Sequence, residues 1–112
     1  MQPPAVDYAR LRTLCRGDAA LMRDVLETLV AEAHDLLDDL RFAVTTHSGE
    51  AAKDSVRVLR GIAGNVGAWR LELLAREVES GIADHDWSVV EHAMATIAAA
   101  IEELRRSAAG LA

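Results

Sequence analysis

A chain of 112 residues that is 51% hydrophobic is long enough to bury one core without staples, and its single cysteine allows no internal disulfide. Only 4% of the residues are aromatic, so Ala, Leu and Val must do the packing, which favours helices. A formal net charge of −6 argues against bulk nucleic-acid binding, because that affinity comes from neutralising phosphates with basic groups.

Taken from its start, Met1-Gln2-Pro3-Pro4 has neither the basic region nor the apolar core of a signal peptide. No later apolar run approaches the roughly 18–20 residues needed to cross a bilayer. With Cys15 unpartnered, the chain reads as a cytoplasmic protein of a reducing compartment with no membrane insertion. Asp7 caps a short helix ending at Cys15, with Val6, Leu11 and Leu14 as apolar contacts and Gly17 as the stop; this helix is expected to be a lid. Asp18 opens a long helix to about Thr45, in which Met22, Leu26, Leu29, Ala33, Leu36, Leu37 and Leu40 form one stripe. Thr46-His47-Ser48-Gly49 is a turn with Ser48 as N-cap, and Glu50 suits the positive end of the next helix.

That second long helix ends near Gly67 and buries Ala52, Val56, Leu59, Ala63 and Val66 at steps of four, three, four and three. At about 100° per residue, Arg57, Gly61 and Gly64 fall within about 60° of one another on the side away from this core face. Glycine inside a helix costs about 1 kcal/mol relative to Ala, so two of them on an outer face suggest that something must approach the backbone closely there. A third long helix starts at about Ala68 and buries Leu71, Leu74, Ala75, Val78 and Ile82. Asp84-His85-Asp86 supplies a turn and cap, and a fourth places Val90, Met94, Ile97, Ile101 and Leu104 on one face before fraying at Ser107 and Gly110. Short connections between long amphipathic helices predict an all-α, antiparallel, up-down four-helix bundle with a short additional N-terminal helix, in one domain over 1–112 with its core at about 6–107.

The run Val56-Arg57-Val58-Leu59-Arg60-Gly61-Ile62-Ala63-Gly64-Asn65-Val66-Gly67-Ala68 continues with Leu71, Leu74, Ala75, Val78 and Glu79. It resembles the histidine-containing phosphotransfer (HPt) family of bacterial phosphorelays, whose core pattern is Ala-His-x-Leu-Lys-Gly-x-Ala followed a few residues later by Leu-Gly-Ala. With Gly17-Asp18 and the leucine stripe upstream, the likeness spans roughly residues 6 to 107. The resemblance puts the family's phospho-accepting histidine at Arg57, so this is a degenerate member. A phosphoramidate needs a neutral imidazole nitrogen as nucleophile, and a guanidinium that stays protonated cannot serve. Arg60 stands where the family has a Lys near the phosphate.

The resemblance therefore implies a non-catalytic module that binds a response-regulator receiver domain or a hybrid sensor kinase without carrying phosphate. Lys53, Arg57, Arg60, Gly61, Gly64, Asn65 and Trp69 are its candidate partner-binding residues. Receiver domains present an acidic pocket, which an Arg can enter with a charge-assisted contact. Two alternatives stand beside it: a phosphotransfer domain whose His has been replaced at position 57, and a structural or dimerising helical bundle. None of His34, His47, His85 and His92 has a glycine pair and a basic residue at helical spacing, so each reads as a solvent-exposed or capping side chain. No paired His at i and i+4, cysteine cluster or carboxylate quartet suggests a metal, and no cofactor is implied. Trp69 and Leu73, spaced i and i+4, read equally as an interface anchor or as packing on a neighbouring helix; Trp87 covers a bundle end. Phe42 lies off the main stripe, where it could serve a homodimer patch.

Overall fold

The computed structural model describes residues 5–111, all of whose regular structure is helical. The N-terminal segment Met1-Gln2-Pro3-Pro4 lies outside the described residues. Five helices follow in order: α1 (Tyr8–Leu14), α2 (Ala19–Thr45), α3 (Gly49–Val66), α4 (Trp69–Ala83) and α5 (Trp87–Ala109). Side-chain oxygens cap four of them. Asp7, Asp18, Ser48 and Asp86 each accept from the backbone N–H three residues on, which is why the expected starts coincide with the observed ones. Helix α4 lacks this device, because its N-cap is the buried Ala68.

The stops are as local as the starts. Gly67 ends α3 at φ +78°, in the left-handed region, and the Ala68 N–H donates to the Ala63 carbonyl at 2.9 Å, closing a Schellman turn. A side chain at Gly67 would also press on Arg10 Cδ at 3.2 Å and Asp7 Cβ at 3.3 Å, so α1 sits directly on this turn. Gly81 has a different role: a Cβ there would lie 2.9 Å from Val90 Cγ2, so its absence lets α5 leave the α4–α5 turn in close contact with α4.

The long helices pack as a ring, α2 on α3, α3 on α4, α4 on α5 and α5 on α2, while the diagonal pairs stay apart. The stripes expected from helical spacing fill its centre, with Leu26, Leu37, Leu40, Val56, Leu59, Leu71, Val78, Ile97, Ile101 and Leu104 at most 1% exposed. Three positions differ from expectation. Leu36 and Val66 are only half-buried, at the flank of their stripes, and Leu14 is 53% exposed. Cys15 takes the inward place expected of Leu14: it follows the fully buried Leu11 by four residues, on the same side of the turn. Burial pushes the Cys15 thiol up, with the nearby Asp18 carboxylate adding to it. Helix α1 packs its backbone against α2 and α3 and closes one end of the ring. Trp87 packs on the core at the start of α5, as expected, and no helix among the described residues is long and apolar enough to cross a membrane.

Candidate functional site

Helix α3 turns Ala52, Val56, Leu59 and Ala63 inward, which leaves Arg57, Val58, Gly61 and Asn65 along its exposed side. Gly61 is the open point of this ridge. An added Cβ there would meet nothing within 4 Å, so another surface could reach the backbone. Gly64 departs from the expectation of equal clearance. It is half-buried, and a Cβ on it would stand 3.4 Å from the Glu72 carboxylate carbon, so α4 already occupies the space beside it.

The basic residues divide in the same way. Lys53 and Arg57 are exposed and have no ion-pair partner among the described residues. Arg60, expected beside them, is turned towards α4, its Nε 2.8 Å from Glu79 Oε1. That pair lacks the alignment of a hydrogen bond and holds by charge. Arg70, just past the α3–α4 turn, is taken by Glu103 of α5. Two positive charges therefore remain free on the ridge, and both lie towards the start of α3.

Trp69 follows the inward of its two readings. It is half-buried, its Nε1–H donates to Asp7 Oδ2 at 3.2 Å, and the Arg10 guanidinium carbon lies 5.4 Å from the ring centroid. The same Asp7 caps α1 through Oδ1, and its N–H donates to the Gly67 carbonyl at 2.8 Å. This corrects Trp69 as a free anchor: the indole fastens α1 to the bundle. Leu73 stays 47% exposed.

Two depressions flank the ridge. On the α2 side a groove of about 370 Å³ is lined by Leu21, Val25, Leu29, Ile62 and Val66, with Asp24 and Glu32 at its edge. Leu21 and Val25 were not singled out from sequence, although their spacing of four off the main stripe signals a second apolar line on α2. On the other side a wider depression of about 640 Å³ lies between the first half of α3 and the α4–α5 turn, lined in part by His47, Lys53, Arg57 and His85. Asn65 borders the groove and is exposed.

The remaining histidines stay on the surface. His34 Nε2 lies 3.9 Å from Glu102 Oε1, too far for a hydrogen bond, and His92 is exposed. Among the described residues no group of three or more His, Cys, Asp or Glu side chains is placed to hold a metal ion. In chemical terms the surface offers positive charge, apolar contact and backbone clearance, with the imidazoles of His47 and His85 at the edge of the wider depression. A family model described as Hpt domain matches residues 24–107, which takes in the ridge and both depressions. No curated protein and no solved structure matches the chain.

Proposed function

The chain belongs to the Hpt domain family of phosphorelay-associated phosphotransfer modules, and from that premise we propose that it docks a receiver domain, alone or within a hybrid sensor kinase, without accepting phosphate. The observation that carries this reading is the pairing of an open Gly61 with an unpartnered Arg57 one turn earlier on the same exposed ridge. A guanidinium has no lone pair to offer a phosphoryl group at any working pH, so Arg57 cannot form the phosphoramidate. It can still enter an acidic pocket as a two-pronged donor. The apolar groove of Leu21, Val25 and Ile62 supplies the desolvated contact that a purely charged patch lacks. By holding the receiver, the module would compete with active phosphotransfer partners in the cytoplasm. This role involves no catalysis.

The docking geometry assumes an antiparallel, up-down course of the four long helices. Short turns support it, as do the cross-helix pairs Arg60–Glu79 and Arg70–Glu103. Self-association is less favoured. Phe42 is 71% exposed, but it stands alone among the charged Asp38, Asp39 and Arg41, without the apolar surround that a dimer interface core needs.

The double variant Arg57→Glu with Gly61→Leu reverses the charge and fills the clearance at exposed positions. It should lower receiver affinity at least a hundredfold with unchanged helical circular dichroism, about 2.7 kcal/mol. Unchanged affinity removes the docking role. Arg57→His separates the alternative of a phosphotransfer domain that has lost its acceptor: rapid phosphate uptake from a phosphorylated receiver would favour that reading.

A further inference from the structure

Docking by Arg57 alone leaves most of the wider depression unexplained. Lys53 and Arg57, one turn apart on α3, share it with His47 of the α2–α3 turn and His85 of the α4–α5 turn, so positive and protonatable groups line it from both sides. Neither Lys53 nor Arg57 makes an ion pair among the described residues, whereas the neighbouring Arg60 and Arg70 are held by Glu79 and Glu103. His47 and His85 adopt φ +57° and +54°, in the left-handed region that histidine enters more often than most side chains, and each turn presents an imidazole. Glu50 and Asp54 line the same depression and offset the two fixed cations. A ligand must therefore gain from close, directed contacts rather than from a diffuse positive field.

A phosphoryl group meets that condition better than a carboxylate. It carries nearly two charges and three terminal oxygens, which can accept at once from a guanidinium fork, an ammonium and an imidazole N–H. We propose that this cleft takes the phosphoryl group of a phosphorylated receiver domain, so that the chain binds the phosphorylated form in preference to the unphosphorylated one. The inference rests on the docking reading above. No bond is made or broken: the phosphoryl group stays on the receiver, and Arg57 reads it where a histidine would have taken it.

The test uses the intact chain and purified receiver domains of the source cell, each measured by calorimetry unloaded and loaded with magnesium and beryllofluoride, a stable stand-in for the aspartyl phosphate. A receiver bound at least tenfold more tightly when loaded is the expected result. Lys53→Gln with Arg57→Gln should bring the two affinities within twofold of each other. Arg60→Gln, which removes a cation already held by Glu79, should leave the preference in place. Equal affinity for both forms overturns the inference and leaves docking standing, while binding of neither form overturns docking and the inference together. In an independent measurement, inorganic phosphate titrated into the ¹⁵N-labelled chain should shift His47, Lys53, Arg57 and His85 first. Shifts spread evenly over all surface cations, or no shifts, also overturn it.

Discussion

Gly67 shows how much one backbone angle decides. It holds φ +78° at the end of α3, and three atoms of Asp7 and Arg10 lie within 3.2–3.4 Å of where a Cβ would be. Gly67→Ala combines left-handed strain, about 1–2 kcal/mol, with a push against the seat of α1. Urea unfolding should show at least that loss, and the Trp69 environment should change even at temperatures where the bundle stays folded. Gly61→Ala is the control: it is exposed with open space around it and should be neutral to stabilising by about 1 kcal/mol. The residue scale also holds the limits of reading from sequence. The outward placement of Arg57 and Gly61 follows from helical periodicity alone and is found as expected. The partners of Arg60 and Gly64 are Glu79 and Glu72 on α4, and that of Trp69 is Asp7 at the cap of α1. Periodicity states which way a residue leaves its own helix and nothing about which neighbour stands opposite.

At the scale of the element, the helix boundaries were legible because they are written in short-range chemistry. Asp7, Asp18, Ser48 and Asp86 cap with bonds of 3.1–3.3 Å to backbone N–H groups three residues away. Asp86 is the most instructive, since α5 begins directly after a turn in which His85 is held at φ +54°. Asp86→Ala should cost about 1 kcal/mol and lower the thermal midpoint by several degrees, with amide exchange faster at Trp87, Ser88 and Val89 than elsewhere in α5. Helix α1 marks the opposite case. Its cap and stop were readable, but the choice of Cys15 over Leu14 depends on how α1 meets α2 and α3. The apolar groove between α2 and α3 was missed for the same reason: Leu21 and Val25 come from one helix, Ile62 and Val66 from another.

For the whole molecule, a ring of four helices whose backbones approach only their neighbours makes the shared core depend on all four. Ile97, fully buried on α5, is a fair probe. Ile97→Ala should destabilise by about 2–5 kcal/mol in a single cooperative transition, with no helix surviving separately in circular dichroism. Surface electrostatics add a smaller pH dependence. A side-chain hydrogen bond from Arg105 holds the Glu102 carboxyl below its ordinary value of 4.5, and the charges of Arg105, His34 and Arg106 act in the same direction. A carboxylate lowered in this way stabilises the fold fully above about 4.5 and loses that contribution as the pH falls through its folded value. Arg105→Gln should therefore raise the Glu102 midpoint in a carbon-detected NMR titration and flatten the acid limb of stability.

The two tryptophans stand at successive turns, Trp69 opening α4 and Trp87 opening α5, so the 15 residues of α4 separate them by about 22 Å. One indole reports on the clasp that α1 makes, the other on the floor beside the histidine-lined hollow. Single-tryptophan versions of the chain would thus be native optical gauges, one for each end of the barrel of helices. A receiver settling over the hollow should alter the emission of Trp87 and leave that of Trp69 almost dark to the event.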